Sequence, residues 1–261
     1  MTKKETYLTC QHPNIFEGMT SISAILKNYE QSENKKRTIV RVLFDECKLK
    51  SKAKELAFLK KMASKYNFSI SLVSSQEIDE LVTGHTHGGI VAICEPKSIP
   101  FLSKNGDEIK ADGVYVMLDG IEDPYNFGYA LRSIYAAGAD GVILPTRNWM
   151  DVAGIVAKSS AGASELIDMY VSDPSEAAAF FKEKGYRIVC SGIRNSVSMY
   201  DANFKKPIFL IVGGEKRGVS SAIEQVADTI ARIEYGRDFR GSLSAASAAT
   251  VMMYEIYRQN R

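Results

Sequence analysis

The fold is decided by residues 118–132, which carry the sequence LDGIEDPYNFGYALR. The residues before them, from Val114 to Leu118, are mostly apolar and predict a buried strand. A polar turn with a proline follows, and we expect a helix to open at Asn126, whose side chain makes a good N-cap. Arg132 lies less than two helical turns further on. It can therefore reach toward the carboxyl end of the strand, where open α/β sheets bind ligands.

Two later segments place small residues beside regular structure. The first, FLIVGGEKRGVS at residues 209–220, joins an apolar strand to a glycine-rich turn. The second, GSLSAASAAT at residues 241–250, leads into a helix with an apolar face. Glycines let a backbone approach a ligand closely and adopt positive φ, although a plain tight turn between strand and helix also uses them.

Strands and helices alternate along the chain. The predicted strands are 38–44, 68–73, 89–94, 114–118, 141–144, 166–171, 186–190, 207–212 and 229–233. The predicted helices are 18–27, 50–65, 76–82, 126–137, 151–159, 174–184, 220–226 and 243–259. From residue 114 onward this order predicts a parallel sheet with helices on both faces, an α/β fold.

Length and composition predict two domains in a cytoplasmic protein. A chain of 261 residues exceeds the usual size of a single core, and a linker rich in Pro, Gly and charge is expected at 97–112. The domains would then span 1–96 and 113–261. The four cysteines form no C-x-x-C pair, which favours reduced thiols. No apolar run approaches the roughly 18 residues that cross a bilayer, and the N-terminus has no signal-peptide core, so no membrane partner is expected.

Metal binding is not expected. His85 and His87 stand two residues apart on a glycine-bounded turn, without further ligands nearby. Contact with RNA or a backbone hydrogen bond within the turn suits them better.

Positive charge is concentrated in the N-terminal part. Residues 1–100 hold 15 of the 33 Lys and Arg but only 11 of the 31 Asp and Glu residues. Several lysines surround the helix predicted at 50–65, which is typical of a solvated helix face. The asymmetry also fits a domain that faces RNA phosphates, and both interpretations stay open.

In order and spacing, the three segments resemble the three motifs of the SpoU/TrmH family of the SPOUT superfamily. Members are RNA 2′-O-ribose methyltransferases that use S-adenosylmethionine. The resemblance covers about residues 113–260 and extends faintly over the N-terminal third, which resembles the substrate-binding domain often fused to this family. It implies a small α/β RNA-binding domain followed by an α/β methyltransferase domain with a trefoil knot.

The resemblance also implies which residues hold the cofactor. Gly213, Ile233 and Leu243 occupy positions whose backbones contact S-adenosylmethionine in the family, and Gly214 and Gly218 complete the turn.

For catalysis the resemblance points to Arg132, with Asn126 beside it. A guanidinium is a poor proton acceptor, so we expect Arg132 to bind the phosphate and stabilise the developing alkoxide rather than act as a base. Asn126 would cap its helix and touch substrate. Glu215 would order the glycine turn by accepting backbone N–H groups, a direct catalytic role being the alternative.

The third motif departs from the family pattern. The family asparagine is replaced by Ser244 and its second serine by Ala246, and the charged loop from Gly236 to Gly241 makes the connection one residue longer. An asparagine amide offers a donor and an acceptor on a longer arm than the hydroxyl of a serine. We therefore do not expect Ser244, a candidate catalytic residue, to make all the substrate or catalytic contacts that the family makes at this position. Arg237 and Arg240 either contact RNA phosphate in compensation or are solvated.

The expected function is 2′-O-methylation of structured RNA, with ribosomal RNA favoured over transfer RNA. A non-catalytic RNA-binding protein with a drifted third motif, and a small-molecule methyltransferase, are the alternatives. The family also implies a homodimer in which the apolar face of the last helix contributes to the interface. The alternative is that this apolar face packs in the core of its own chain.

Overall fold

The computed structural model describes residues 7–8, 14–31, 37–82, 86–97, 99–102, 108–146, 152–214 and 218–261. The strands are β1 (Tyr7–Leu8), β2 (Asn14–Glu17), β3 (Ile39–Asp45), β4 (Ser69–Val73), β5 (Ile90–Cys94), β6 (Ile99–Pro100), β7 (Val114–Asp119), β8 (Gly141–Leu144), β9 (Asp168–Val171), β10 (Arg187–Ser191), β11 (Val197–Ser198), β12 (Ile208–Gly213) and β13 (Thr229–Arg232). The α-helices are α1 (Gly18–Gln31), α2 (Ala53–Tyr66), α3 (Ser75–Leu81), α4 (Pro124–Ala136), α5 (Ala153–Ser159), α6 (Ala163–Leu166), α7 (Pro174–Glu183), α8 (Ser221–Val226) and α9 (Ala245–Asn260).

The chain forms two compact units. The first contains residues 1–8, 99–147 and 167–261, and the second contains residues 9–98 and 148–166. Residues 152–166, which follow β8 in the chain, thus belong to the same unit as β2 to β5. Within the described residues, no helix is both long and apolar enough to span a bilayer.

The first unit is built on the predicted parallel sheet. Its seven strands are ordered β11-β13-β10-β12-β7-β8-β9, and every neighbouring pair runs parallel. The central strands β7 and β12 are apolar and buried along almost their whole length. Strands covered by helices on both faces need such continuous apolar runs, which is why the sequence located them so well.

The helices of this unit divide between the two faces. Side chains of β7 and β12 on one face, among them Tyr115, Met117 and Phe209, form a core with residues of α7 and α8. Alternate side chains such as Val116 point to the opposite face and are also buried. There α4 packs against α9, and α9 lies against β12. The chain therefore leaves β7 toward one face and β12 toward the other, which opens a crevice between their carboxyl ends.

The second unit has a four-stranded sheet in the order β2-β5-β3-β4, with only β3 and β4 parallel. Its core joins α1, α2 and the sheet to Ala153 and Ala157 of α5. Two glycines permit the close approach of this segment: a side chain at Gly154 would meet the Ile15 carbonyl, and one at Gly162 would meet Ala24. Residues 152–166 are thus part of the core of this unit.

A buried ion pair fixes the same segment. The Arg37 guanidinium donates to both carboxylate oxygens of Glu165 at 3.0 and 3.2 Å, and both side chains are almost fully buried. The same guanidinium lies 4.4 Å from the centroid of the Phe16 ring. Burial alone would raise the pKa of Glu165, but the charge and hydrogen bonds of Arg37 hold it below its usual range. Glu165 is therefore ionised at neutral pH.

Candidate functional site

A cleft of about 690 Å³ opens where β7 and β12 end. It is lined by Asp119, Gly120, Ile121, Glu122, Asp123, Asn126, Gly214, Gly218, Ser220, Ala245 and Ala246. These residues come from all three segments that the sequence singled out. The parallel register that places Gly213 opposite Asp119 brings the first two segments together at one edge of the sheet.

The turn after β7 differs from the sequence prediction in its cap. The helix α4 begins at Pro124 rather than Asn126, and its N-cap is Asp123, whose carboxylate accepts the Asn126 N–H at 2.8 Å. The prediction that Asn126 caps the helix was wrong. Proline is well suited to the first helical position because it has no N–H to satisfy, and this fixes Asp123 as the cap. The exposed Asn126 side chain is free of the capping role and lines the cleft.

The glycine turn after β12 is closed by its own backbone. The Gly218 N–H donates to the Gly214 carbonyl at 2.9 Å. A Cβ on Gly213 would lie 2.3 Å from the carbonyl carbon of Gly218, and one on Gly214 would lie 2.6 Å from the carbonyl oxygen of Gly120. No side chain tolerates such distances, so the two glycines are required by the approach of chain segments that form the cleft wall.

We also expected the glycines of this turn to adopt positive φ, and of Gly213, Gly214 and Gly218 only the last does so. Gly218 has φ of +64°, and Gly120 in the turn after β7 has φ of +84°, whereas neither Gly213 nor Gly214 has positive φ. Glu215, predicted to order this turn, lies outside the described residues.

Arg132 stands apart from the cleft lining. It is exposed on α4, six residues after Asn126, a spacing that turns it to a different side of a helix with about 3.6 residues per turn. It shares its side with Tyr125 and Tyr129, at spacings of seven and three residues, and both tyrosines are about half exposed. Arg132 and the two tyrosines thus form an exposed surface on α4.

The third segment contributes the start of α9. Ser244 is its N-cap, and the hydroxyl accepts the Ser247 N–H at 3.1 Å. Ala245 and Ala246 follow and line the cleft. Ile233 and Leu243 are half-buried, and the Leu243 N–H donates to the Tyr235 hydroxyl at 3.2 Å. Ser244 therefore has a structural role as the cap of α9.

The sequence did not single out the acidic lining of the cleft. Asp119, Glu122 and Asp123 all belong to it. Burial, and next the charge of Asp173, raise the pKa of Asp119 above its usual range. The signal was present in the motif, where Asp119 is the first polar residue after the buried strand.

The turn that carries His87 agrees with a hydrogen-bonding role. Its Nδ1 accepts the Gly89 N–H at 3.1 Å, and its Nε2 lies 3.0 Å from Asp79. His85 lies outside the described residues. Across the described parts of the chain, no group of three or more His, Cys, Asp or Glu residues could hold a metal ion.

A crevice at the strand-order reversal of a parallel sheet, walled by a glycine turn, defines an α/β protein with a ligand site. The family can then be stated. Residues 113–254 match the SpoU rRNA Methylase family, and residues 15–100 match the domain described as RNA 2′-O ribose methyltransferase substrate binding. The chain belongs to the SpoU/TrmH family of RNA methyltransferases.

Known proteins agree with this assignment. The chain is 30% identical over 206 residues to the 23S rRNA (guanosine-2′-O-)-methyltransferase RlmB of Shewanella oneidensis, covering 77% of this chain and 82% of that protein. A crystal structure of an RNA 2′-O ribose methyltransferase aligns with a TM-score of 0.78 at 21% identity, covering 95% and 89% of the two chains. The SpoU methyltransferase AviRb of Streptomyces viridochromogenes, in complex with the cofactor AdoMet, aligns with a TM-score of 0.73 at 23% identity, covering 95% and 90%. Both structures share the fold.

Proposed function

We propose that the protein transfers the methyl group of S-adenosylmethionine to the 2′-oxygen of a ribose in structured RNA, with ribosomal RNA as the favoured substrate. The observation that carries this proposal is the cleft itself, which collects all three segments of an RNA methyltransferase family at the crevice between β7 and β12. The RlmB relative, named for 2′-O-methylation of 23S rRNA, supports the ribose and the ribosomal substrate.

The cleft residues fit the cofactor. A volume of about 690 Å³ is within the range of sites that hold a molecule of this size. The crowded glycines of the β12 turn let main-chain groups form the wall, and the carboxylates of Asp119, Glu122 and Asp123 suit a positively charged sulfonium and amino group. Ile233 and Leu243 would add backbone contacts from the third segment. The bound cofactor supplies an electrophilic methyl group, and AviRb, which shares the fold, has AdoMet bound.

The chain must orient the ribose, and the proton of the 2′-hydroxyl must pass to a base as the methyl group is transferred. The carboxylates that line the cleft, or water beside them, are the available acceptors. Asn126 can hold the nucleotide from the cleft wall, since its amide both donates and accepts. Arg132 would bind the adjacent phosphate and stabilise negative charge on the 2′-oxygen, because a guanidinium cannot take up the proton. Glu215 stays a candidate for ordering the glycine turn.

A homodimer would allow Arg132 to take part in this reaction although it lies outside the cleft lining of its own chain. Arg132 shares the exposed side of α4 with Tyr125 and Tyr129, and Tyr254 and Tyr257 of α9 are about half exposed as well. Two packed helices with exposed tyrosines form a surface that a second copy can cover. We propose that this contact forms and brings Arg132 to the partner's cleft. The trefoil knot implied by the family resemblance is a further prediction for the region of β12 and β13.

The RNA would be held in part by the N-terminal domain, which matches a substrate-binding family. Lys54, Lys60 and Lys61 of α2 are exposed, and in the described part of the chain none of them forms an ion pair. Lys65, in contrast, pairs with Glu30 at 3.2 Å. The unpaired lysines are available to phosphates.

Two measurements test the function. Calorimetric titration of S-adenosylmethionine into the protein should show binding, and mapping of ribose methylation should reveal a nucleotide modified in wild-type cells but not in a strain lacking the gene. If the methylated nucleotide that the deletion strain lacks lies in transfer RNA rather than ribosomal RNA, the proposed reaction stands and only the proposed substrate changes. A protein without cofactor affinity and a strain without any missing methyl group would establish a non-catalytic RNA-binding protein instead.

A further inference from the structure

The loop between β13 and α9 exposes two aromatic rings. Phe239 is 57% exposed and Tyr235 is 39% exposed. The segment leads through Leu243 and Ser244 directly to the alanines that line the cleft. The exposed rings and part of the cleft lining therefore belong to one continuous segment of the chain.

Both rings are held in place by the loop itself. Their centroids lie 5.7 Å apart with the planes tilted by 57°. The Tyr235 hydroxyl accepts the Leu243 N–H, which ties the two ends of the loop together. The Phe239 ring lies against Gly241, where a Cβ would come within 2.4 Å of the ring. The glycine thus supports the ring from within the loop while more than half of the side chain stays accessible.

The loop also carries two exposed guanidinium groups. Arg237 and Arg240 are exposed, and neither forms an ion pair with any residue that the structure describes. Nearby Arg232 differs, because it pairs with Glu234 at 3.0 Å and donates to the Ser196 carbonyl. An accessible aromatic ring flanked by available arginines is the combination with which proteins bind unpaired nucleotides: the ring stacks on a base and the cations contact phosphates.

We propose that Phe239 is a stacking platform for an unpaired base of the RNA substrate, with Arg237 and Arg240 contacting the phosphates beside it. This rests on the proposed function, and it narrows the substrate class to RNA whose target nucleotide lies next to an unpaired base, as in a loop or bulge. The loop ends at the helix that lines the cleft, so the stacked base would lie close to the reacting ribose. Phe239 would then select the substrate without taking part in methyl transfer.

The test compares full-length Phe239→Ala and Phe239→Trp with the wild type. Each is titrated, without cofactor, with a labelled oligoadenylate of about twelve nucleotides and with an RNA duplex of the same length. Phe239→Ala should weaken single-strand affinity by about 5- to 150-fold, as expected for one lost stacking contact, and leave duplex affinity within about twofold. Phe239→Trp should retain binding. Thermal melting checks that each variant is folded, which is expected because the ring is exposed.

Salt dependence separates stacking from charge. Phe239→Ala should leave the slope of log K against log salt unchanged, whereas Arg240→Ala should reduce it by about 0.7 if one phosphate contact is lost. Unchanged single-strand affinity in Phe239→Ala, or an equal loss for the duplex, would overturn the proposal. A change in oligomeric state without a change in RNA affinity would also overturn it, because the ring would then contact a second copy.

Failure of this proposal is distinguishable from failure of the proposed function. Oligonucleotide binding without cofactor tests the platform, and calorimetric titration of S-adenosylmethionine tests the methyltransferase site. A protein that binds the cofactor normally but is indifferent to Phe239→Ala keeps its function and lacks the platform. A protein that stacks a base on Phe239 but never binds the cofactor keeps the platform and is not a methyltransferase.

Discussion

Gly214→Ala should damage the cleft far more than its single added carbon suggests. A Cβ at this position would lie 2.6 Å from the Gly120 carbonyl oxygen and 2.8 Å from its carbon, and both are backbone atoms that no side-chain rotation can move away. Relief requires the turns after β7 and β12 to separate. Overpacking of this kind costs about 1–3 kcal/mol. For a domain of this size that corresponds to a fall in Tm of roughly 2–12 °C.

The chain offers two matched controls. Gly236→Ala adds the same carbon where no atom of the described residues lies within 4 Å and φ is not positive, so the free energy of unfolding should change by less than about 0.5 kcal/mol. Gly218→Ala also meets no atom, but its φ of +64° should cost about 1 kcal/mol or more. Calorimetry would give cofactor affinity and Tm for all three. If Gly214→Ala binds S-adenosylmethionine as tightly as Gly236→Ala, the crowded glycine turn is not part of the cofactor site.

Three further perturbations address other parts of the scheme. Arg132→Ala should abolish methyl transfer while cofactor affinity stays within a few-fold, because the side chain lies outside the cleft lining; wild-type turnover in a methylation assay would contradict its role. Reversing Lys60 and Lys61 to Glu should weaken RNA binding and lower the salt slope by about 0.7–0.9 per lost phosphate contact, and an unchanged slope would show that they are only a solvated face. Glu165→Gln should destabilise the second unit by about 3–5 kcal/mol, because the buried Arg37 guanidinium loses its ion pair with the Glu165 carboxylate. Because the pKa of Glu165 is lowered in the folded state, the wild type has this stabilisation above the pKa of the carboxyl group in the unfolded chain and loses it as the pH falls through the pKa in the folded chain. Urea titrations at several pH values should therefore show that the free energy of unfolding falls less steeply with acid in Glu165→Gln.

The sequence located most of the regular structure because it had one strong signal, burial on both faces of a parallel sheet. The strand predicted at 114–118 is found at Val114–Asp119, and that predicted at 207–212 is found at Ile208–Gly213. Short strands gave no such signal. The two residues of β11, for example, were missed because they are too short to show a period.

Tertiary contacts explain what the sequence could not show. A helix at 151–159 was predicted and is found at Ala153–Ser159. Its local pattern does not indicate that Ala157 packs in the core of the second unit rather than beside β8. The cap of α4 was missed for a local reason. Asp123 and Asn126 are both good N-caps, and the choice depended on Pro124 entering the first turn. The crowding of Gly214 on Gly120 depends on two turns 94 residues apart, and no motif spacing reveals it.

The altered third motif has a structural role at the start of α9. Ser244 caps α9 and so fixes the start of the helix whose alanines line the cleft. Its hydroxyl accepts the Ser247 N–H and donates to the Ser247 hydroxyl at 3.0 Å, which engages its one donor and leaves a single acceptor lone pair for another contact. A substrate contact that requires a hydrogen-bond donor must therefore come from another residue. The neighbouring loop supplies candidates in Phe239 and Arg240, which are exposed, and Arg240 forms no ion pair with a described residue. We therefore expect the cap of α9 and the contacts to RNA to be supplied by two different segments, so that a serine at position 244 is compatible with RNA recognition.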